Sequence, residues 1–368
     1  MKFLFIGDYS NFHVSLAAEL RRLGHEALVV SSGSRCMDTL RDIDLQRTPG
    51  KLGGIKYLYK LFSILPQLSG YDVVQLINPN FLDLKPGKIK YFFRELKSHN
   101  RSVFLSLAGN DPFYVEACCN SRDFRYSEYR IGENLAPFAK KFPNDENEWQ
   151  TSSMMNFCRY IYDNIDGGIS CLYEYQKVGA KYLENKIAYT GIPIDTNHIE
   201  YQPFNIDDKI NIIVGIKSEY LEFKGTDRLL SAAQKLESKY SSLCRVMTLE
   251  NLPYEEYMNK LRASHIVLDQ IYSYTPATNA LGAMAMGKIA VSGAEPEFYD
   301  FIKEKENHPI VNVLPDDEDI YCKLEELIKN REGLIARSIN SRKFVEKHNS
   351  SEIVVNRYLT HINNILSV

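Results

Sequence analysis

The chain has 368 residues, of which 44% are hydrophobic and 25% are charged, with 44 Lys and Arg against 47 Asp and Glu. This composition is that of a globular protein long enough for two domains, and it excludes extensive disorder. The formal net charge of −3 argues against a dedicated nucleic-acid binder, which carries a basic excess. No apolar run approaches the roughly 18 residues of a membrane span, and the N-terminal run stops at Gly7, so we expect a cytoplasmic protein.

Short apolar runs alternate with helical patterns through the first half of the chain. An amphipathic helix is predicted over residues 11–23. The apolar runs predict strands over residues 2–6, 26–31, 72–77, 102–107, 167–170 and 187–190. Polar residues follow as far as 208, so we place the end of a first domain at residue 195.

The same alternation restarts in the second half and ends in a long amphipathic helix over about residues 351–366. The strands predicted here cover residues 211–215, 243–247, 265–269, 288–292 and 310–313. Alternation of strand and helix indicates parallel sheets with right-handed crossovers. The sequence therefore predicts two doubly wound, Rossmann-like α/β domains that face each other across a cleft, with ligands at the carboxyl ends of the strands.

Two segments depart from this alternation. Residues 120–150 are polar and irregular, which makes them too long for an ordinary connection and indicates a functional or mobile segment. Residues 50–68 place Lys51, Lys56 and Lys60 among apolar residues on an amphipathic helix. This helix is either a cover for the sheet with solvated lysines or a contact with a membrane interface.

Cysteine spacing gives no indication of a metal centre. The chain has seven Cys, and no two of them are arranged as CxxC. Because zinc sites and disulfide frameworks use paired or regularly spaced Cys, we expect free thiols and no metal ligands.

Several motifs of the C-terminal half occur in a familiar order. One is Phe-Lys-Gly-Thr-Asp at 223–227, and another is Ala-Met-Ala-Met-Gly-Lys-Ile-Ala-Val at 283–291. The other motifs of this half lie at residues 214–217, 252–257, 265–270 and 344–352, and residues 7–13 and 23–25 of the N-terminal half fit more loosely. Together they resemble family-4-type (group 1) glycosyltransferases of the GT-B architecture.

The resemblance implies a sugar transferase. Residues 1–195 would form the acceptor-side domain, residues 196–345 would bind a nucleotide diphosphate sugar, and residues 346–368 would return toward the N-terminal domain. The acceptor would be a glycan or a lipid-linked glycan in surface-polysaccharide biosynthesis. The reaction would be retaining and metal-independent, with no cofactor besides the nucleotide-sugar donor.

This sequence departs from the family at two acidic positions. The family carries two glutamates with seven residues between them, the second just before Ala-Met, and the aligned positions here hold Tyr274 and Gly282. Asp269, Glu295 and Glu297 are the acidic residues nearest in sequence that can replace them. The departure supports one alternative, a catalytically silent GT-B protein that binds nucleotide or glycan. A nucleotide-sugar epimerase is a second alternative.

The predicted donor site lies after the strands of the second domain. Lys217 and Lys224 would neutralise phosphate, and Gly225 would let the backbone approach it. The remaining donor-site candidates are the hydrogen-bonding residues Asp269, Thr278 and Asn279. The alternatives are solvated lysines and helix caps that hold no ligand.

Three residues are candidates for catalysis. Asp111, in Gly-Asn-Asp-Pro after a strand, can act as a base or can form a turn. His13 begins the first helix near the expected cleft, although a single His is more often structural. Glu295 lies just after a strand of the second domain and can hold sugar hydroxyls or remain solvated.

Overall fold

The computed structural model describes residues 1–33, 40–120, 122–203, 209–216, 221–250, 252 and 254–367. It divides into two compact units. Unit 1 comprises Met1–Glu116, Asn147–Pro193 and Ser351–Val368, and unit 2 comprises Ala117–Glu146 and Ile194–Ser350. The final helix thus belongs with the N-terminal residues, whereas the irregular segment 117–146 belongs with the C-terminal half.

Unit 1 is built on a parallel sheet with the strand order β3-β2-β1-β4-β5-β8-β9. Its strands are β1 (Lys2–Ile6), β2 (Glu26–Ser31), β3 (Ile43–Asp44), β4 (Val73–Leu76), β5 (Val103–Leu107), β8 (Gly167–Ser170) and β9 (Ile187–Tyr189). Its helices are α1 (Phe12–Arg22), α2 (Gly50–Ile64), α3 (Pro86–His99), α4 (Pro112–Cys118, which extends into unit 2), α7 (Ser152–Asn164), α8 (Tyr173–Leu183) and α16 (Ser351–Leu366), with 3₁₀ turns at Leu65–Leu68 and Glu184–Lys186. The strands predicted from apolar runs are all present.

The core of unit 1 shows why these runs form strands. Residues of β1, β4 and β5 are almost wholly buried, as expected for parallel strands covered by helices on both faces. Gly167 in β8 allows one close approach between a helix and the sheet. A Cβ at this position would lie 2.4 Å from Ile365 Cδ1 and 2.8 Å from Phe104 Cε1. Glycine therefore lets the end of α16 pack directly on the sheet.

Unit 2 is built on a second parallel sheet, with the strand order β11-β10-β12-β13-β14. Its strands are β10 (Ile210–Ile216), β11 (Cys244–Glu250), β12 (Ile266–Leu268), β13 (Ile289–Ser292) and β14 (Val311–Asn312), and a separate hairpin pairs β6 (Arg130–Ile131) with β7 (Asn134–Leu135). Its helices are α5 (Pro137–Lys141), α6 (Asp145–Trp149, which extends into unit 1), α9 (Leu221–Lys224), α10 (Thr226–Lys239), α11 (Tyr254–Arg262), α12 (Thr278–Ala285), α13 (Pro296–Phe301), α14 (Asp317–Lys329) and α15 (Arg331–His348).

Both sheets have a point where the strand order reverses. In unit 1 this point lies between β1 and β4, and in unit 2 it lies between β10 and β12. The connections leave adjacent strands toward opposite sides at such a point, which opens a crevice at their carboxyl ends. Each unit thus has one edge where a ligand site is expected.

Candidate functional site

A buried carboxylate organises the strand-end edge of unit 2. Asp269 follows β12 directly, and its side chain is 1% exposed. One oxygen, Oδ1, lies 3.4 Å from Lys224 Nζ and accepts a hydrogen bond of 3.2 Å from Asn279 Nδ2. The other oxygen accepts from the Ser292 hydroxyl at 3.4 Å. The carboxylate thus contacts residues from separate loops and helices. These contacts offset the free-energy cost of burying its charge away from water.

Lys224 is the cation of this cluster that a ligand can reach. Its side chain is 40% exposed, so the ammonium contacts Asp269 and still faces solvent. The backbone carbonyl of Lys224 accepts from the N–H of Ile271 at 3.0 Å, which fixes α9 to the loop after β12. Lys217, the other predicted phosphate ligand, lies outside the described residues.

Gly225 is required here by backbone conformation and by space. Its φ of +70° is in the left-handed region, and a Cβ would lie 2.4 Å from Ile271 Cγ1. Only glycine combines this conformation with such a close approach. Gly225 precedes α10 and allows α9 to meet the loop after β12, so it sets the position of Lys224.

The N-terminus of α12 faces the same cluster. Thr278 and Asn279 are its first two residues, no acidic residue occupies its first turn, and Ala277 before it supplies no side-chain cap. The first backbone N–H groups of a helix lack partners within the helix and attract anions. Asn279 is oriented by the Tyr257 hydroxyl, which donates to its Oδ1, while its Nδ2 donates to Asp269. The edge thus combines a cation with a helix N-terminus.

The two positions where the family has glutamates differ from each other. A Cβ on Gly282, in α12, would meet no atom of the described residues within 4 Å. Tyr274 is buried, its hydroxyl accepts from the Arg125 N–H at 2.7 Å, and its ring stacks on Tyr126 at 5.0 Å. Tyr274 therefore packs against the segment 117–146.

Glu295 and Glu297 hold that same segment. Glu295 is buried and accepts hydrogen bonds from the Tyr126 hydroxyl, from Arg125 and from Asn312 Nδ2 at 2.8 Å. Glu297 pairs with the same guanidinium, and this hydrogen bond raises the pKa of Arg125. Burial, together with the bond to Glu295, raises the pKa of Tyr126 well above its ordinary value. The geometry around Glu295 is that of a clamp between a loop and the sheet.

At the strand-end edge of unit 1, His13 is completely buried within a hydrogen-bonded network. Its Nδ1–H donates to the Gly7 carbonyl at 2.7 Å, which leaves Nε2 to accept from the Ser106 hydroxyl at 2.8 Å. Gln75 Nε2 donates to the same hydroxyl at 3.0 Å, and the Tyr358 hydroxyl donates to Gln75 Oε1 at 3.2 Å. Burial lowers the pKa of His13 to about 3, so the imidazole is neutral near pH 7.

Asp111 caps a helix. Its Oδ1 accepts from the Tyr114 N–H at 2.8 Å at the start of α4, and its Oδ2 accepts from the Tyr162 hydroxyl at 2.7 Å. Burial raises the pKa of this carboxyl. Both oxygens are thus engaged within unit 1, which corresponds to the turn expected from Gly-Asn-Asp-Pro as the alternative to a base.

Asp8 is a buried carboxylate that the sequence motifs did not single out. Its Oδ1 accepts from the His13 N–H at 2.7 Å, whereas its buried Oδ2 has no hydrogen-bond partner among the residues that the structure describes. Burial raises the pKa of Asp8 to about 6. The loop around it has positive φ at Gly7, Ser10 and Asn11, a strain that occurs at functional sites. The signal in the sequence was an acidic residue two positions after the end of the first strand.

Solved structures of similar architecture cover the whole chain at low identity. A sucrose-phosphate synthase from Thermosynechococcus elongatus matches at a TM-score of 0.62 and 12% identity, covering 100% of both chains. HepE from Anabaena, in complex with UDP-glucose, matches at 0.61 and 13%, again over 100% of both chains. A protein of Listeria monocytogenes assigned as a UDP-N-acetylglucosamine 2-epimerase matches at a TM-score of 0.56 and 13% identity, over 99% of this chain and 96% of that one.

These similarities establish the fold. The chain has the GT-B fold class, with two doubly wound parallel-sheet units, and the fold predicted from the sequence is confirmed. No protein-family model matches the chain, and no curated protein matches it in sequence. Among the residues that the structure describes, no helix is long and apolar enough to cross a membrane.

Proposed function

We propose that this chain is a glycosyltransferase that takes a sugar from a nucleotide diphosphate sugar bound at the strand-end edge of unit 2. The observation that carries the proposal is the cluster of Lys224, Asp269 and Asn279 beside the N-terminus of α12. A departing nucleoside diphosphate needs positive charge and free N–H groups, and this edge supplies both. The similarity to HepE, which was solved with UDP-glucose, supports the same assignment.

The roles of the side chains follow from their contacts. Lys224 would neutralise phosphate, and contacts that strengthen as charge develops on the leaving group would accelerate transfer. Asp269 would hold Lys224 and Asn279 in place. Because its side chain is only 1% exposed, Asp269 would position these two residues and would not contact the ligand itself. Thr278, with the first N–H groups of α12, would contact phosphate or sugar. Lys217 remains a candidate for the second phosphate contact.

The rest of the reaction belongs to the same proposal. Unit 1 would bind a glycan or lipid-linked glycan acceptor, transfer would be retaining and metal-independent, and the product would enter a surface polysaccharide on the cytoplasmic side of the membrane. Residues 50–68 would contact that membrane peripherally. Asp8 joins His13 and Asp111 as a candidate in unit 1, because within the described part of the chain its Oδ2 has no hydrogen-bond partner, whereas both oxygens of Asp111 accept one.

The first experiment is a thermal shift of the purified protein with UDP, GDP, ADP, CMP and their sugar conjugates in the presence of a chelator. A ligand at 100 times its dissociation constant adds about 2.7 kcal/mol to the stability of the native state. Stabilisation by one nucleoside diphosphate would support the donor site and identify the base. No response to any of them would contradict it.

Lys224→Ala tests the residue on which the proposal depends. We expect donor binding or turnover to fall by about tenfold or more, since a charge-assisted contact contributes about 1.5–3 kcal/mol. The matched control is Lys329→Ala, which removes a lysine of the same unit that pairs with Glu325 at 2.8 Å. Equal donor affinity in both variants and the wild type would refute the role of Lys224.

There are two alternatives, and Tyr274 and Gly282, which replace the family's acidic pair, favour the first of them. A silent binding protein would be stabilised by nucleotide but would release no sugar from any donor. An epimerase, as the similarity to the Listeria structure suggests, would change the donor sugar without an acceptor. Product analysis of the donor with and without acceptor separates these outcomes from transfer.

A further inference from the structure

Helix α2 exposes large apolar side chains along one face. Leu52, Ile55, Tyr59 and Phe62 are 75%, 65%, 77% and 51% exposed, respectively. Their spacing places them together on a helix, while the opposite face buries Gly53, Tyr57, Leu61 and Ile64. Scattered exposed apolar residues are normal, but a continuous row of four indicates an interaction surface.

The surface continues onto α3 through aromatic contacts. The ring of Phe62 lies 5.9 Å from that of Tyr91, which is 44% exposed. It also lies 5.3 Å from the ring of the buried Phe92. The aromatic rings thus join the exposed row to a second helix that is itself anchored in unit 1.

Charge around this surface differs from that of the whole chain. Residues 50–99 contain eight Lys and Arg against three Asp and Glu, although the chain has a net charge of −3. Lys51, Lys56 and Lys60 lie on α2 between the exposed apolar residues, and α2 itself has no acidic residue. Among the residues that the structure describes, none of these three lysines forms a salt bridge.

Apolar side chains flanked by lysines match the chemistry of an anionic bilayer. Leucine, isoleucine and phenylalanine gain by entering the acyl boundary, tyrosine favours the headgroup level, and lysine is attracted to anionic lipid. A second copy of the chain fits less well, because a two-fold contact would set the same lysines against each other. Charge complementarity therefore favours a membrane over self-association.

We propose that the α2 surface, formed by Leu52, Ile55, Tyr59 and Phe62 with the lysines between them, docks the protein on an anionic phospholipid bilayer. This inference deepens the peripheral contact in the proposed function by naming the lipid chemistry and the side chains. It also explains how an acceptor carried on a lipid would meet unit 1. Docking and glycosyl transfer are separable, because the donor cluster belongs to unit 2.

The experiment is flotation of the full chain with two kinds of vesicle. One contains phosphatidylcholine alone, and the other contains phosphatidylcholine with about one third phosphatidylglycerol, in line with the need for anionic lipid. We expect binding to the anionic vesicles, weakened by salt. The triple variant Leu52→Ser, Ile55→Ser, Phe62→Ser should lose at least tenfold in affinity, since it removes the inserted apolar area.

Charge and surface controls complete the test. Lys51→Glu, Lys56→Glu, Lys60→Glu should weaken binding by roughly a hundredfold, since each basic residue near an anionic surface contributes about 1 kcal/mol. Ile335→Ser, Ile339→Ser removes an exposed apolar pair on α15 of unit 2, 44% and 40% exposed, and should bind as the wild type does. All variants should keep the wild-type melting temperature and nucleotide-induced shift.

Several results would overturn the proposal. They are failure of the wild type to bind anionic vesicles, equal binding to neutral ones, equal loss in the α15 control, and concentration-dependent dimerisation that the α2 variants abolish. A nucleotide-induced shift that persists while vesicle binding is absent would leave the proposed transferase intact and reject the docking surface alone.

Discussion

The strand-end edges of the two sheets both gather polar side chains, yet they use them differently. In unit 1, His13, Ser106 and Gln75 are buried to 1% exposure or less and bond to one another and to the backbone. In unit 2, Asp269 is equally buried, but it holds Lys224, whose side chain is 40% exposed. One edge keeps its network within the unit, and the other keeps a positive charge within reach of a ligand.

Because of this difference, substitutions at the two edges should affect different properties, namely the stability of the fold at one edge and ligand affinity at the other. A buried, neutral network fixes the loops around it, and removing one member leaves the others unsatisfied at a large cost. An exposed lysine contributes little to folding and is available to a polyanion. Substitutions at the edge of unit 1 should therefore change mainly the free energy of unfolding, and those at Lys224 should change mainly affinity.

His13→Ala should have the largest effect on stability. The substitution opens a cavity and removes the partners of Ser106 and of the Gly7 carbonyl, so we expect a loss of about 3–5 kcal/mol in the free energy of unfolding. Urea unfolding measures it, with one probe in each unit because the two need not unfold together. Nucleotide affinity should stay within about twofold, since Lys224 belongs to the other unit.

The control for this prediction is His99→Ala, which removes an exposed histidine of the same unit. It should leave the unfolding curve nearly unchanged. The contrast between the two edges breaks down if His13→Ala abolishes turnover and leaves the unfolding free energy at the wild-type value. That result would make His13 a catalytic residue.

The strands could be predicted from the sequence because each is a short apolar run bounded by polar residues. Residues 2–6 and 167–170 were placed with the bounds that the structure shows, and so was the helix Ser351–Leu366. The strand Ile43–Asp44 was not predicted, because a strand of two residues is too short to show a periodic pattern of apolar and polar residues. The fold could thus be predicted from the local pattern of apolar and polar residues.

Asp8→Asn should raise stability in a pH-dependent way. Burial raises the pKa of Asp8 from 3.8 to about 6, so the stabilising contribution of the protonated form is present below about pH 4 and is lost as the pH rises through 6. The ionised group is therefore a cost at pH 8. Asparagine keeps the oxygen that accepts from the His13 N–H, so the variant should gain roughly 1–3 kcal/mol at pH 8 and almost nothing at pH 4.

The matched substitution is Asp111→Asn, which should act in the opposite direction. Both oxygens of Asp111 accept hydrogen bonds, so an amide would set an N–H against a donor and reduce stability. Unfolding at pH 4 and pH 8 measures both variants. If Asp8→Asn lowers stability at pH 8, the ionised carboxylate of Asp8 does not destabilise the fold in the way proposed. If the variant is more stable but has reduced turnover, Asp8 has a role in the reaction.

The attachment of residues 117–146 to unit 2 could not be predicted from the sequence. The contact between Arg125 and Glu295 joins positions 170 residues apart, and no local pattern indicates which distant carboxylate an arginine meets. For the same reason Glu295 was a candidate for sugar binding, whereas the structure shows it holding Arg125 and Tyr126. Partners at long range come from tertiary packing alone.

Glu295→Gln should have the smallest of these effects on the whole protein, because it loosens one segment. Losing a charged partner of Arg125 costs about 1.5–3 kcal/mol of local stability, so exchange of the Arg125 N–H, which donates to the Tyr274 hydroxyl, should accelerate by about tenfold or more. Hydrogen exchange measures this directly. Glu297→Gln, at a side chain that is 38% exposed, should change exchange much less.

Tyr126→Phe decides between the two roles of Glu295. It removes the hydroxyl that donates to Glu295 and leaves the carboxylate in place, so it loosens the segment without removing the acid. If Glu295 acts by positioning the segment 117–146, turnover should fall in proportion to the faster exchange in both variants. If Glu295 contacts the sugar, Glu295→Gln should lower turnover far more than Tyr126→Phe at the same exchange rate, and unit 2 would then present a carboxylate to its ligand in addition to Lys224.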